Sequence, residues 1–514
     1  MRFLKFLLKV FVVLAIVVLV LRWTHPLPDL PTESSARIPV SEETSLGRTF
    51  LPEMAANEGL SGVVPFADGR DALASRILLA RAAEKTIDVQ YYIWQMDTTG
   101  WLLLEELRAA AERGVRVRML LDDNGIPGLD NVLADLNSME NVEIRIFNPF
   151  TMRKPKLLSY VFDFFRLNRR MHNKSMTVDG VATIIGGRNI GDIYFAYGEG
   201  TAYFDFDVMA IGPGAEDVSE NFDEYWTSGS SYDAADVFPA SEGGLAEMAA
   251  AVEAARNSAL GSTYAEALQN APVMSRLLAG EDLYEWTTVT LVSDDPAKGL
   301  GEAAREDLLL GQLAQIMGRP ERSVDLVSAY LIPGEAGNEL FLDYIGSGIE
   351  TRLVTNSMEA TDVPVVHSAW MGYRDELVDA GAQVLELRAS PDKPKSSGLT
   401  SILTGSQSSL HAKTFAIDGE RIFIGSFNFD PRSAMLNTEM GFLVESPTIA
   451  QTLTDALNQP ELFYKVYETP DGDIEWSETL EDGSEKIWTK EPNTSAFQRG
   501  LVTFMSYLPI EWIL

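Results

Sequence analysis

One pattern of spaced polar residues occurs twice in this chain, and any fold must accommodate both copies. The first copy is MHNKSMTVDGVATIIGGRN, residues 171–189, and the second is LHAKTFAIDGERIFIGSFNFD, residues 410–430. Both follow H-x-K-x4-D-x6-G-[GS]-x-N, and each matched pair of residues is 239 positions apart. A single copy is compatible with an ordinary strand edge that carries a surface lysine. Two copies are not explained by packing, and they predict a duplicated unit.

The secondary-structure pattern around the motifs repeats as well. Helical and strand patterns alternate before the first motif, in DALASRILLARAAEK, TIDVQYYIW, GWLLLEELRAAAERG, VRVRMLLDD, a helix near 129–138 and NVEIRIF. The alternation returns in EDLLLGQLAQIMG, SVDLVSAYLI, NELFLDYIGSG, IETRLVTN, SAWMGYRDELVDAG and AQVLELR. Asp88 and Asp325 occupy equivalent places, 237 residues apart. This order predicts two copies of an α/β sandwich module, each with a mostly parallel sheet.

Composition excludes several classes of protein. With 514 residues, 46% of them hydrophobic and 23% charged, the chain is globular and long enough for more than one domain. Its net charge of −34 counts against nucleic acid as a partner, because binding to phosphate backbones needs a basic surface. The absence of cysteine excludes disulfides, thiolate catalysis and cysteine metal sites. With only four histidines, we predict no metal and no cofactor.

The amino terminus predicts a membrane anchor. Arg2, Lys5 and Lys9 precede the uninterrupted apolar run Val10–Leu21. Counted from Phe3, the segment reaches the roughly 20 residues of a spanning helix. A Pro-rich stretch follows instead of an A-x-A cleavage signal, which favours an uncleaved signal anchor over a cleaved signal peptide. The basic residues predict a cytoplasmic amino terminus, with the rest of the chain outside the cytoplasm.

These signals divide the chain into five parts. We predict a transmembrane signal anchor at 1–23, a linker at 24–60, a first module at 61–280, a second module at 281–467 and a carboxyl-terminal part at 468–514. That last part contains VYETPDGDIEWSETLEDGSEKIWTKEP, which is typical of a β-hairpin with Asp-Gly turns. It ends in FQRGLVTFMSYLPIEWIL, an amphipathic tail that either lies in a membrane interface or caps the core.

The paired motifs resemble those of the phospholipase D superfamily. DVQYYIW, RMLLDDNG, YFDFDVMAIGP and the ending from WTKEP to EWIL are similar to bacterial cardiolipin synthases, in particular the C-type branch. The resemblance implies two phospholipase D-like modules packed so that they share one active site. It also implies transfer of a phosphatidyl group to phosphatidylglycerol, yielding cardiolipin. The resemblance to the C-type branch implies that phosphatidylethanolamine can be the donor.

The motif residues suit a two-step displacement at a phosphodiester. A neutral imidazole can attack phosphorus to form a phosphohistidine, while a second imidazole, protonated, protonates the departing alcohol. By analogy with the superfamily, His172 is the predicted nucleophile and His411 its partner, although the motifs are nearly symmetric. Lys174 and Lys413 would neutralise the phosphate oxygens. The motif aspartates complete the catalytic signature, Asp179 and Asp418, and we expect turn or salt-bridge roles for them.

Further polar residues are candidates for binding the phosphate and orienting the histidines. Asn189 and Asn428 offer amide donors, and the neighbouring small residues, Gly187 and Ser426, let the backbone approach a ligand. A carboxylate on the second ring nitrogen fixes a histidine's tautomer. Asp205 in YFDFDVMAIGP and Glu439 in NTEMGFLVESP are the candidates, one in each half; the alternative is that they are ordinary strand acids.

Two histidines lie outside the motifs. His25 follows the anchor and has no predicted role. His367 lies at a predicted helix start in TDVPVVHSAWMGYRDEL, where a plain helix position is the simplest interpretation. Similar stretches in the bacterial phospholipid synthases of the superfamily imply that His367 lines a headgroup pocket.

A lipid substrate is favoured by the segment that leads into the first motif. Between Arg153 and Lys174 there are seven basic residues and one acid, interleaved with aromatic and apolar residues. Such a segment suits an anionic bilayer surface, and the alternative is a solvated helix packed on the module. We therefore predict phospholipid substrates in the bilayer and leave any protein partner open. The predicted location is the inner membrane, with the catalytic part on the periplasmic side.

Three other functions share some of these features. A phospholipase D that releases phosphatidic acid needs only water in place of the lipid acceptor. A nuclease of the superfamily would carry the same motifs, but the acidity and the anchor oppose it. A non-catalytic membrane scaffold is disfavoured because both motifs are intact.

Overall fold

The computed structural model describes residues 2–195, 205–241, 243–269, 271–281, 283–389, 410–480 and 482–514. Two mixed β-sheets and their packed helices form two α/β modules, preceded by an apolar amino-terminal helix. The predicted fold class, with its duplicated modules, is confirmed. The helices are α1 Arg2–Thr24, α2 Ser45–Ala56, α3 Gly69–Ala82, α4 Thr98–Glu112, α5 Asp130–Leu136, α6 Ser159–Leu167, α7 Pro213–Trp226, α8 Ala234–Val237, α9 Gly244–Arg256, α10 Ala259–Gln269, α11 Pro272–Leu278, α12 Leu309–Met317, α13 Gly334–Gly346, α14 Pro364–Asp379, α15 Pro431–Met435, α16 Pro447–Leu457 and α17 Ala496–Ser506.

The first sheet has nine strands in the order β8-β4-β3-β2-β5-β6-β7-β1-β9. They are β1 Ser61–Phe66, β2 Thr86–Tyr91, β3 Arg116–Asp122, β4 Val142–Phe147, β5 Ser175–Val178, β6 Ala182–Gly186, β7 Asp207–Ile211, β8 Ser231–Asp233 and β9 Glu285–Thr287. The second sheet has ten strands in the order β10-β16-β15-β14-β11-β12-β13-β17-β18-β19. They are β10 Val289–Ser293, β11 Ser323–Ser328, β12 Glu350–Asn356, β13 Gln383–Leu387, β14 Lys413–Ile417, β15 Arg421–Gly425, β16 Met440–Val444, β17 Phe463–Glu468, β18 Ile474–Thr479 and β19 Glu485–Trp488.

The prediction of mostly parallel sheets is wrong. Only the strands joined by crossover helices are parallel, β2-β3-β4 in the first sheet and β11-β12-β13 in the second. Each motif instead forms an antiparallel hairpin, β5-β6 and β14-β15, beside those strands. A parallel connection needs a crossover of a dozen or more residues, and the motif leaves room for only a tight turn.

The motif aspartates build that turn and fasten it to the neighbouring strand. Asp179 and Asp418 have positive φ, 52° and 56°, and each precedes a glycine that also has positive φ, as an Asp-Gly hairpin turn requires. The Asp179 carboxylate accepts hydrogen bonds from the backbone amides of residues 84–86, where β2 begins. Asp418 does the same for residues 321–323 at the start of β11. These contacts give the aspartates a structural turn role.

The turn aspartates are also far from the motif histidines. Seven residues separate Asp179 from His172. In extended chain this spacing corresponds to roughly 23 Å. The aspartates therefore lie at the opposite end of the hairpin from the histidines and take no direct part in chemistry there.

Replacing the turn aspartate will test this structural role. We expect Asp179→Ala to lower the free energy of unfolding by about 2–3 kcal/mol, because three amides of the β2 start lose their acceptor. Asp179→Asn is the matched control, since asparagine tolerates positive φ and keeps one acceptor oxygen. Urea unfolding in detergent, followed by tryptophan fluorescence, measures both. Equal stability of the alanine variant and the wild type would contradict the assignment.

The two chain termini hold more regular structure than predicted. The stretch Phe3–Thr24 of α1 is long and apolar enough to cross a membrane, and its apolar window is not buried in the protein. The predicted linker contains α2, whose amino terminus is capped by Thr44. The predicted carboxyl-terminal hairpin is a meander of three strands, β17 to β19, that extends the second sheet. Its first strand lies within the predicted second module.

The two modules pack through an apolar core of their own. Side chains from β6 and β7 meet those from β15 and β16 there, with Ile185 and Val208 from the first module and Ile424 and Phe442 from the second. All four are buried. This contact places the two motif hairpins next to each other and brings the histidine ends of the sheets together.

Candidate active site

Both motif histidines lie at equivalent edges of their sheets. His172 comes just before β5, next to the carboxyl end of β2, because the two strands are antiparallel. His411 comes just before β14, next to the carboxyl end of β11. Both side chains are largely buried. The duplicated fold therefore delivers two imidazoles to one site between the modules.

Each histidine is held by a carboxylate from the other module. His172 Nδ1 lies 2.8 Å from Glu439 Oε2, and His411 Nδ1 lies 2.6 Å from Asp205 Oδ2. Both carboxylates are fully buried. The sequence identified these two acids, but it could not show that the pairs cross between the modules. With Nδ1 engaged, Nε2 is the ring nitrogen that chemistry can use.

A short parallel bridge between the modules aligns the first pair. Met171 pairs with Thr438, so that the His172 amide donates to the Thr438 carbonyl at 2.8 Å and the Thr438 amide donates to the Arg170 carbonyl at 2.9 Å. Glu439 is the next residue along the chain. The backbone itself therefore fixes the separation between His172 and its carboxylate, independently of either side chain.

The two motif lysines are buried beside the histidines. Lys174 Nζ donates to the His172 carbonyl at 2.5 Å, and Lys413 Nζ donates to the His411 carbonyl. The spacing of two residues puts each lysine on the same face of the extended chain as its histidine. Burial lowers the pKa of Lys174 to about 7 and also lowers the pKa of Lys413. A bound anion would offset this burial and favour the charged ammonium.

Both imidazoles are neutral at neutral pH when no anion is bound. Burial, followed by the charges of Lys174 and Lys413, holds the pKa of His172 well below its ordinary value. Burial and Lys413 lower the pKa of His411 to about 3, against the opposing effect of Asp205. Each imidazole can therefore act as a nucleophile or as a base. An anionic ligand between them is needed before either becomes an acid.

The two carboxylates differ in their protonation. Burial raises the pKa of Glu439 to about 7. Burial also opposes ionisation of Asp205, but its contact with His411 and the charge of Lys413 outweigh burial and lower the pKa below the ordinary range. Asp205 is therefore an anion at neutral pH, whereas Glu439 titrates there. The duplicated site is chemically asymmetric.

Two tyrosines that the sequence analysis missed pack on the histidines. The ring of Tyr92 meets the His172 ring edge-on with 5.0 Å between centroids, and Tyr194 meets His411 in the same way at 5.1 Å. Tyr92 directly follows β2, and Tyr194 lies five residues after Asn189. Nothing in the sequence indicated these two contacts, because they depend on how the loops after β2 and after the first motif fold back over the site.

The motif asparagines have polar atoms available for a ligand. Asn189 Oδ1 accepts from the Ile93 amide at 3.1 Å, which leaves Nδ2 buried with no hydrogen-bond partner among the described residues. Within the same described part of the chain, Asn428 Oδ1 is buried and unpaired. Rotation of that amide would present a donor at the same place. Both side chains remain predicted phosphate ligands.

Gly187 and Ser426, predicted to bind phosphate, contact the histidine-orienting carboxylates. Ser426 Oγ donates to Glu439 Oε2 at 2.5 Å. A Cβ atom at Gly187 would lie 2.0 Å from Asp205 Oδ1, so only glycine leaves room for that carboxylate. The two equivalent positions therefore support the acids of their own modules. These contacts depend on side-chain packing that the motif spacing does not encode, and phosphate binding at the two positions stays a prediction.

Two further charged residues hold the carboxylate segments. Arg188, inside the first motif, is buried and donates to the Asp205 carbonyl at 2.6 Å. Asp294 accepts from the Glu439 amide at 2.8 Å and pairs with Lys298 at 2.8 Å. The sequence analysis missed both, since Arg188 occupies a variable position of the motif and Asp294 lies outside it.

His367 lies in a buried ion cluster at the start of α14. Its Nε2 is 3.6 Å from Glu491 Oε1, and Arg374 Nη1 pairs with the same carboxylate at 2.6 Å. Glu491 belongs to the carboxyl-terminal segment, so this cluster joins α14 to the end of the chain. The contact of His367 with Glu491 supports that packing, and its role at a headgroup pocket stays a prediction.

The fold and the paired histidines define a phospholipase D-type protein. The solved structure of phosphatidylserine synthase from Haemophilus influenzae matches this fold with a TM-score of 0.53, covering 91% of this chain and 100% of that chain at 13% identity. The family described as "Cardiolipin synthase, PLD-like domain" matches residues 77–226 and 313–460. The chain belongs to this family, whose enzymes are phospholipase D-type phosphatidyltransferases.

Close similarity extends along nearly the whole chain. Cardiolipin synthase C of Escherichia coli is 44% identical over 471 residues, covering 91% of this chain and 99% of that protein. An uncharacterised protein of Helicobacter pylori is 33% identical over 479 residues, with 91% and 92% of the two chains covered. Both similarities include the two motif hairpins, because they extend across most of the sequence.

The close approach of Asp205 to Gly187 yields a direct test of the site. We expect Gly187→Ala to displace the Asp205 carboxylate and to reduce kcat by about 100-fold, since His411 would lose its orientation. Gly346→Ala is the matched control, because a Cβ atom at the end of α13 meets no atom within 4 Å. Turnover of purified protein in mixed micelles measures both variants. An active Gly187→Ala variant would show that the carboxylate position is not required.

Proposed function

We propose that this protein makes cardiolipin by transferring a phosphatidyl group to phosphatidylglycerol through a phosphatidyl-histidine intermediate. The donor is phosphatidylethanolamine or phosphatidylglycerol. The observation that carries the proposal is the crossed histidine pair, in which both imidazoles present Nε2 and two buried lysines lie alongside. The similarity to cardiolipin synthase C of Escherichia coli supports the choice of product.

The first step would place the phosphatidyl group on His172. Its Nε2 attacks phosphorus and forms a P–N bond, while the bond from phosphorus to the headgroup oxygen breaks. His411, protonated on Nε2 once the anionic phosphate is bound, gives that proton to the departing oxygen. The headgroup leaves as an alcohol, and His411 becomes neutral.

The asymmetry of the carboxylates supports this assignment of roles. Asp205 is ionised and can stabilise an imidazolium on His411 through its 2.6 Å contact. Glu439 titrates near neutrality, so it stabilises a positive charge on His172 less well. His172 therefore remains the neutral nucleophile, and His411 gains the proton when phosphate binds.

The second step would reverse the roles of the two nitrogens. A hydroxyl of the acceptor's glycerol headgroup attacks phosphorus, and neutral His411 removes its proton. The P–N bond breaks and restores His172. Lys174 and Lys413 neutralise the phosphoryl oxygens in both steps, and the amides of Asn189 and Asn428 donate hydrogen bonds to them. No proton is gained or lost over the cycle.

The outcome of the second step depends on whether water or lipid reaches the intermediate. Hydrolysis would give phosphatidic acid, the product of a phospholipase D. The buried histidines and the tyrosines packed against them favour a site with restricted water access. A nuclease is disfavoured by the net charge of −34. We place the catalytic part on the periplasmic face of the inner membrane, with α1 as the anchor.

The products of the purified protein will test the proposal. With phosphatidylethanolamine and phosphatidylglycerol in vesicles, we expect cardiolipin as the main product, and we expect His172→Ala and His411→Ala each to lose more than 1,000-fold in kcat. Thin-layer chromatography with mass spectrometry identifies the lipids. Phosphatidic acid as the main product would assign a phospholipase D, and DNA cleavage without lipid turnover would overturn the substrate class.

The pH dependence of kcat/KM will test the role of Glu439. Below its pKa of about 7, protonated Glu439 donates to His172 Nδ1, which leaves the hydrogen on Nε2 and removes the lone pair needed for attack. Above the Lys174 pKa of about 7, that lysine loses its charge. We therefore expect a narrow bell-shaped profile of kcat/KM with its maximum near pH 7. Its acidic and alkaline limbs reflect the coupled titration of the whole site and not of single residues.

Single substitutions should separate the two limbs. Glu439→Gln removes the titrating group, so activity should no longer fall towards acidic pH. Lys174→Arg keeps the positive charge, so the alkaline limb should move to higher pH. Steady-state kinetics between pH 5 and 9 measure both profiles. An unchanged acidic limb in Glu439→Gln would contradict the role given to that carboxyl group.

A further inference from the structure

Two segments of the protein expose large apolar side chains. On α6 and the turn before it, Leu157, Val161 and Phe165 are each more than half exposed. In and after α17, the same holds for Phe504, Tyr507 and Trp512. We call these six residues the apolar rim. Large apolar side chains clustered in this way are unusual on a surface that faces only water.

Four of the seven basic residues around α6 pair with acids of the protein, and Lys154 is exposed, so the segment presents less free positive charge than the sequence predicts. Arg153 and Lys156 both pair with the buried Asp123. Arg166 pairs with Asp163 at 2.6 Å in the same helix. Their charges are therefore compensated within the protein. What the segment presents outward is mainly apolar.

Arg432 connects the two halves of the rim. Its guanidinium donates to the carbonyl and to Oδ1 of Asn168, at 3.1 and 2.9 Å, where α6 ends. Its backbone amide donates to the carbonyl of Leu514, the last residue of the chain, at 2.7 Å. Asn168 lies four residues before His172 in the chain, so the junction between the two halves of the rim is close to the active site.

The first half of the rim is continuous with the membrane anchor. The carboxyl-terminal end of α1 packs on α6, where Arg22 lies 3.5 Å from Asp163. Just beyond α1, the ring of His25 lies 5.9 Å from that of Phe162. The point where α1 leaves the bilayer is therefore next to α6, which places α6 at the level of the membrane interface.

We propose that the apolar rim inserts into the acyl region of the leaflet from which α1 emerges, with the lipid bilayer as its occupant. Three observations favour lipid over water or an anionic protein as the neighbour of the rim. The helix α6 lies beside the anchor, its outward face is apolar, and most of the basic residues around it are paired within the protein. Insertion through both segments would set the active site at the membrane surface. Resting on the proposed function, this arrangement lets donor and acceptor lipids reach His172 from the leaflet.

The chain contains no cysteine, so single labels can report on the rim. Full-length protein with a fluorophore on Val161→Cys, Phe165→Cys or Phe504→Cys would be placed in nanodiscs, one copy per disc, with or without lipids brominated on their acyl chains. Ile316→Cys is the matched control. It is an exposed apolar position on α12, near the start of β11 and thus at the sheet edge opposite the histidines.

We expect brominated lipids to quench the three rim labels at least twofold and to leave the Ile316 label unchanged. Quenching of rim labels no greater than that of the control would overturn the proposal. The proposal would also be overturned if the rim labels became buried only in discs that hold two copies, because the rim would then be an interface between copies. This measurement does not depend on catalysis, so it remains informative if the proposed function fails.

Kinetics test the consequence for the reaction. On vesicles, we expect Phe165→Asp to raise the KM for surface phosphatidylglycerol at least fivefold, Phe165→Leu to restore it, and Ile316→Asp to behave as wild type. Circular dichroism checks that each variant is folded. If Phe165→Asp turns over vesicle lipids with wild-type KM while the Phe165 label is quenched, the rim touches the bilayer but does not guide substrate, and that part of the inference is wrong.

Discussion

The crossed contacts between histidine and carboxylate need both modules at once and therefore govern how the active site is assembled. His172 is paired with Glu439 and His411 with Asp205, so neither module alone contains a complete pair. The apolar contact between the modules and the bridge at Thr438 have to form before either imidazole is oriented. Assembly of the two modules and assembly of the chemistry are therefore one event.

The active site is a small cluster of buried lysines, carboxylates and histidines inside a strongly acidic protein. Two buried lysines face two buried carboxylates, and the histidines between them are neutral. Because the surrounding medium has a low dielectric constant, these close charges outweigh the distant surface charge. The net charge of −34 therefore counts against a nucleic-acid surface without preventing an anionic phosphate from binding. A bound phosphate would supply negative charge that offsets the effect of burial and favours the ammonium form of both lysines.

Sequence reasoning worked where local pattern determines structure and failed where distant contacts decide. The strands and helices of both modules follow hydrophobic periodicity, and the elements flanking the motifs lie where they are predicted. The parallel sheets were mispredicted because pairing direction depends on the connections. The basic segment before His172 was expected to face a membrane with its charges, but Arg153 and Arg170 are paired with acids that lie far away in sequence, Asp123 and Asp122.

The duplication, the paired histidines and lysines and the apolar amino-terminal helix can all be predicted from the chain alone, because repeated spacing and long apolar runs are local properties of a sequence. Which carboxylate serves which histidine depends on how the two modules pack. The support that Gly187 and Ser426 give to those carboxylates depends on packing as well. Each of these contacts depends on packing between elements. The distance between the two residues in space cannot be derived from their separation in the sequence.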